Sequence, residues 1–446
     1  MQKLLFGLIL IVLIAGCTQN TDFNKALSGD VKQQPVQELI ENQENQQNTA
    51  PQEIQTTVSD SDAVNAYPIN CQPRLGFDNY RTEQSFAINP KNNMEMYVAI
   101  EYKGLYKSAD GGKTWSFSGK GIKALPRSDD PTKPCHQLHF TMYIDPQNPQ
   151  RILLPGGAAP SKVGMGVGGL AESLDSGKTW HQLFTSEMSA YTESVITDPR
   201  DSSTIYVTTT ALPQGMSGPD QGKIFVKTGI VYKTTDGGKT WDELPTGFYE
   251  SIRVTGLFLD SKNSDTLRIA TFGLPPGTNI DKKATEEQWG FLESKDAGKT
   301  WTKLDSTTGL GIRHVDGSSA NLDHFFMMAS KDNTDKVYYS IDGSLKESNS
   351  PVNFARYDPN DKTGMRLIGL NLYVQPNDIY ESDDAGITWN PVGKLPEGIT
   401  NDHRASNIVF DPVEKDTIYI NSDLARIWKS PDKGKTWEQL LSVDKL

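Results

Sequence analysis

Short runs of alternating or continuous apolar residues recur along most of the chain, each bounded by a turn signal. Phe86-Ala-Ile-Asn-Pro, Met142-Tyr-Ile-Asp-Pro, Val195-Ile-Thr-Asp-Pro, Gly256-Leu-Phe-Leu-Asp, Phe354-Ala-Arg-Tyr-Asp-Pro and Ile408-Val-Phe-Asp-Pro each end in Asp, Asn or Pro. Each is followed by a β-rich run: Met96-Tyr-Val-Ala, Arg151-Ile-Leu-Leu, Thr204-Ile-Tyr-Val, Leu267-Arg-Ile-Ala, Met365-Arg-Leu-Ile and Thr417-Ile-Tyr-Ile. Runs this short, rich in β-branched and aromatic residues and closed by Asp-Pro breakers, predict paired strands rather than helices.

Downstream of each pair stands an octapeptide, first seen as Ser108-Ala-Asp-Gly-Gly-Lys-Thr-Trp115. It returns with the same spacing at Ser173–Trp180, Thr234–Trp241, Ser294–Trp301, Ser382–Trp389 and Ser430–Trp437. In the pattern S/T-x-D-x-G-x-T-W, the aspartate can accept backbone N–H groups of its own turn. The glycine supplies a left-handed backbone, and the tryptophan opens the next strand with a large apolar group. These copies hold six of the eight tryptophans, so the chain's largest apolar groups are devoted to repeated packing. Asp110, Asp175, Asp236, Asp296, Asp384 and Asp432 are accordingly read as structural. Each unit reads strand, turn, strand, loop, strand, octapeptide, strand, which is a four-stranded propeller blade. Between the fourth and fifth octapeptides lie Phe325-Phe-Met-Met-Ala-Ser-Lys-Asp and Lys336-Val-Tyr-Tyr-Ser-Ile, read as the first half of a blade without an octapeptide. The fold class is therefore all-β, a seven-bladed β-propeller of four-stranded blades. Six blades with a long insertion are the alternative.

The octapeptide resembles the Asp-box, or BNR repeat, of sialidase-like, sortilin-like and xyloglucanase-like propellers. That resemblance implies a rigid disc with function carried on loops. Three readings follow from it: a sialidase-like hydrolase, a xyloglucanase-like endo-glucanase, and a binding or assembly module akin to photosystem II stability factors and sortilin-like receptors. The first would draw on Arg81, Arg253, Arg313 and Arg404 with Tyr191 and Glu193, but Tyr80-Arg81-Thr82-Glu83 stands where a Phe/Tyr-Arg-Ile-Pro motif is required. The second needs two carboxylates across a cleft, for which Asp323 and Asp402 are the candidates. The third is the preferred expectation: a surface module that binds a protein, peptide or glycan, with glycoside hydrolysis the alternative.

In the expected strand order, Asp-Pro turns and octapeptides share one face. The links from second to third strands (156–169, 211–229, 273–290) and the links between blades share the other, and loops on a rigid scaffold are where function concentrates. The expected ligand face therefore carries Arg81, His136, His139, Arg253, Arg313, His314, Asp323, His324, Asp402, His403 and Arg404, with Tyr191 and Glu193. His136 and His139, three apart on a strand, would point to opposite faces, so no metal site and no cofactor are expected.

At the N-terminus, the apolar run from Leu4 to Ile14 is too short to span a bilayer and ends in Ile14-Ala15-Gly16-Cys17. This looks like a lipobox, with residues 1–16 a lipoprotein signal peptide and Cys17 lipidated. The expected localisation is exported and membrane-anchored, facing the periplasm or cell exterior. Residues 17–66 are rich in Gln, Asn, Glu, Thr and Ser and read as a disordered tether, leaving 67–446 for the propeller. Cys71 and Cys135 read as a disulfide, with two free thiols the alternative. The formal net charge of −12 and the absence of a basic run argue against nucleic acid. The expected assembly is a monomeric propeller.

Overall fold

A computed structural model describes residues 85–100, 104–122, 125–126, 134–135, 142–155, 169–185, 190–211, 231–247, 252–273, 287–332, 334–372, 378–399, 405–422 and 426–442. They form seven four-stranded antiparallel sheets, each from four consecutive strands. The blades span residues 85–117, 143–185, 190–244, 252–303, 311–348, 354–394 and 405–441. The chain is thus a seven-bladed β-propeller. A two-residue pairing of Leu125–Pro126 with Pro134–Cys135 lies between blades 1 and 2.

The octapeptide folds the same way in all six copies. Asp110 accepts the Thr114 N–H at 2.9 Å, the Thr114 hydroxyl at 2.6 Å and the Ser108 hydroxyl at 2.8 Å. Asp175, Asp236, Asp296, Asp384 and Asp432 repeat the set. Two successive residues then adopt positive φ, ending at Gly112, Gly177, Gly238, Gly298, Gly386 and Gly434. At Gly112 a Cβ would meet Leu440 of blade 7, and at Gly238 it would meet Leu183 of blade 2, so glycine also permits close approach of the preceding blade.

Each octapeptide tryptophan wedges into the interface with the preceding blade. Trp180, Trp241, Trp301, Trp389, Trp437 and Trp115 belong to or pack on six of the seven apolar clusters, one cluster per blade interface. The seventh, between blades 4 and 5, is built on Phe291, Ile312, Phe325 and Met327. The core is thus a ring of inter-blade layers. It closes without a shared strand, through Phe86, Met96 and Val98 of blade 1 against Tyr419, Ile427, Leu440 and Leu441 of blade 7.

The two faces separate as expected. The N–H of Gly111, Ser176, Gly237, Ala297, Ala385 or Lys433 in each octapeptide turn donates to a carbonyl of its own blade's first turn. Between blades, buried arginines act as latches on the same face. Arg151 pairs with Glu172, Arg268 with Glu293 and Arg366 with Glu381, and each guanidinium also donates to a backbone carbonyl of the next blade: Ser202, Leu322 or Lys415.

Blade 5 departs from the expected strand assignment. Its innermost strand is Gly311–Ser318, and Phe325 and Lys336 fall in its second and third strands, Asn321–Lys331 and Thr334–Ile341. The blade lacks both punctuation marks of the repeat. Ser318 to Asn321 replaces the Asp-Pro turn, and a tight Asp342-Gly343 hairpin with φ of 55° and 76° replaces the octapeptide.

Candidate functional site

Four innermost strands carry a β-bulge at the same place, five residues before the first turn. In blade 3, Thr192 faces Thr209 and Ser194 faces Thr208, which leaves Glu193 as the extra residue. The same displacement leaves Thr255 extra in blade 4, Arg313 in blade 5 and Ser406 in blade 7. Bulges re-aim side chains and collect beside functional sites. These four lie towards the loop end of the strands nearest the propeller axis.

Arg313 shows what such a position builds. Its Nε donates to Asp335 Oδ1 at 2.9 Å, and its guanidinium carbon lies 5.0 Å from the centre of the Phe272 ring. Phe272 in turn packs on Trp289 with centroids 5.4 Å apart. Trp289 is half-buried, and its indole N–H is itself buried, with no acceptor among the described residues. Phe272 is the last residue but one of the second strand of blade 4, Trp289 immediately precedes its third, and Arg313 and Asp335 sit near the loop-side ends of blade 5 strands. Four segments therefore bring an aromatic pair, a cation and a carboxylate together on the loop face. Beside them, His314 stacks on Phe354 at 4.2 Å; burial, followed by the nearby Arg356 charge, pushes its pKa down to about 3, so it is neutral at physiological pH.

Of the residues expected on this face, Arg313 and His314 stand there. Asp323 and His324 do not: with Asn321–Lys331 as second strand, they follow the first turn and lie at the opposite end of the blade. Asp323 receives Arg268 at 2.6 Å, completing an inter-blade latch, and buried His324 bonds the Gly364 carbonyl through Nδ1 at 3.0 Å. Tyr191, Glu193 and Arg253 lie on innermost strands by backbone position. Cys135 lies in the short hairpin between blades 1 and 2. Arg81, His136, His139, Asp402, His403, Arg404, Cys17 and Cys71 lie outside the described residues.

Sequence reasoning missed Thr255, Ser406, Phe272, Trp289 and Asp335. Aligning the repeats on their first turn would have flagged Thr255, Arg313 and Ser406 as a register of polar residues, though not the bulge itself. Trp289 carried a plainer signal, as one of the two tryptophans outside the octapeptides.

Known proteins resemble this chain over parts of its length. The family model described as sortilin, neurotensin receptor 3 (Sortilin-Vps10) matches residues 168–339. The xyloglucanase Xgh74A of Acetivibrio thermocellus is 25% identical over 289 residues, covering 62% of this chain and 30% of that protein. A vacuolar protein sorting/targeting protein 10 of Verticillium alfalfae is 28% identical over 98 residues, 22% of this chain and 6% of its own length. Among solved structures, the GH74 enzyme of Niastella koreensis superposes with a TM-score of 0.56 at 15% identity, covering 80% of this chain and 54% of that one. The chain thus spans about a third of the curated xyloglucanase and about half of the solved enzyme. Together with the seven blades, these similarities support a relation to BNR-type, sortilin-like propellers.

Proposed function

We propose that the protein is a binding module, tethered to a membrane through lipid on Cys17, that takes a glycan on its loop face. The observation that carries this reading is the Phe272, Trp289, Arg313 and Asp335 cluster. Of the protein, peptide and glycan partners such a face could hold, a glycan suits it best. Aromatic ring faces meet the C–H faces of sugars, and the arginine–aspartate pair adds hydrogen bonds without net charge. The similarity to xyloglucanases points to the same ligand class.

Glycoside hydrolysis is the second reading, favoured by that same similarity. It calls for an acid and a base or nucleophile, both carboxylates in most such enzymes. Among the described residues, Asp335 on the loop side is held by Arg313, and Asp316, near the axis but two residues before the first turn, is held by Arg356; neither is free to play such a part. Asp323 faces the other way, which leaves Asp402, Glu193 and Tyr191 as candidates.

The soluble fragment 67–446 titrated with β-glucan oligosaccharides and sialosides tests binding. Trp289→Ala is expected to weaken the bound glycan at least tenfold, and unchanged affinity would sink the site. Lipidation is tested separately: metabolic labelling with a fatty-acid analogue is expected to mark the full chain and to fail for Cys17→Ser.

A further inference from the structure

The innermost strand of every blade has a residue, two before the first turn, that is partly exposed, and in blades 1, 2, 3, 6 and 7 both its neighbours are buried. These are Ala87, Tyr143, Ile196, Phe258, Asp316, Arg356 and Val409. On the strands nearest the axis they form a ring, and Ala87, Tyr143, Ile196, Phe258 and Val409 pack there on the inter-blade clusters. Five are apolar. In blades 5 and 6 the series breaks into a charged pair, Asp316 with Arg356 at 3.1 Å. A local rule kept by five repeats and broken by two adjacent ones marks a position that packing alone did not choose.

The guanidinium of Arg356 is fixed from three sides. Nη1 donates to Asp316 Oδ1, Nε donates to Asn407 Oδ1 at 2.9 Å, and the group lies 5.4 Å from the Phe354 ring centre. Asp316 is itself held by the Tyr357 N–H at 2.7 Å. The remaining donors, Nη2 of Arg356 and the side-chain nitrogen of Asn407, have no partner among the described residues, and Arg356 is 28% exposed.

We propose that this waist is a second ligand site, in which Arg356 and Asn407 hydrogen-bond the oxygens of a neutral sugar at the end of a glycan that enters from the loop face; it rests on the glycan reading above. Neutrality follows from Asp316, which compensates the arginine charge and removes most of the gain an anion would bring.

The pair also joins blades 5 and 6, so the test replaces it with what other blades carry. The double variant Asp316→Ile/Arg356→Val copies Ile196 and Val409 and exchanges a partly buried ion pair for apolar side chains, an exchange that is often neutral or stabilising. Calorimetric titration with cellohexaose is expected to show at least tenfold weaker binding than the unaltered fragment, with Tm unchanged or higher. Equal affinity, with Trp289→Ala still weakened, would overturn the waist site and leave the loop-face reading standing. No binding by the unaltered fragment to any glycan would overturn both. Preference for a peptide carboxylate over cellohexaose would overturn the waist assignment alone. Should the double variant fail to fold, Arg356→Lys provides the same readout, because it keeps the charge and removes the Nη2 donors.

Discussion

At the residue scale, the repeated aspartates show how a side chain can be charged, exposed and structural together. The Thr114 hydroxyl and N–H, then the Ser108 hydroxyl, hold the Asp110 carboxyl down to about 2. Thr179 does the same for Asp175 and Thr300 for Asp296, each to about 2. A carboxyl whose folded pKa is depressed contributes stability above its unfolded value, near 3.8, and loses it as pH falls towards 2. Thermal melts between pH 5 and pH 2 are therefore expected to fall mainly below pH 4, and Asp110→Asn to lower Tm at pH 7 and flatten that acid limb. A limb unchanged by the substitution would remove the aspartate from the account. The tryptophan of the same motif acts through burial. Trp241 is 3% exposed, and Trp241→Ala is expected to cost about 3–5 kcal/mol in urea unfolding. Both roles were legible in the sequence because each motif closes within eight residues.

At the element scale, legibility depended on punctuation. Six blades announce themselves by an Asp- or Asn-bearing first turn and an octapeptide, and their strands fall where the apolar runs predict. Blade 5 has neither mark, so its apolar run Phe325–Met328 was read one strand too early, which carried Asp323 and His324 to the wrong face. The bulges at Glu193, Thr255, Arg313 and Ser406 were hidden for a different reason: a bulge is a relation between two strands, and one strand's pattern does not record it. Inter-blade latches were equally silent, because their partners lie 15 to 55 residues apart. They make a sharp prediction. Arg366 is buried against Asp358, Glu381 and the Lys415 carbonyl, so Arg366→Leu strands the buried Asp358 carboxylate and leaves Glu381 with Lys433 alone. Equilibrium unfolding is expected to show a loss of about 3–5 kcal/mol. A loss below 1 kcal/mol would mean that the latches are incidental.

At the scale of the whole molecule, the ring is closed by apolar packing between its first and last blades, to which the Asn93 side chain adds a hydrogen bond to Asp411 at 3.1 Å. Leu440 and Leu441 in the final strand supply much of that seam. Leu441→Ala is expected to destabilise by about 2–5 kcal/mol and to speed proteolysis within blades 7 and 1 before the other blades, as read by mass spectrometry of early fragments. Uniform cleavage around the ring would contradict a seam. The disc so closed presents its aromatic and arginine cluster on the loop face, with the Asp316–Arg356 pair further along the innermost strands, towards the first turns.

The measurement that bears most directly on this account is a titration of fragment 67–446 with cellohexaose, with reducing ends counted in the same samples. The account expects saturable binding that Trp289→Ala weakens at least tenfold, with no new reducing ends. Binding accompanied by new reducing ends that Asp402→Asn abolishes would contradict it and make the loop face a hydrolytic cleft.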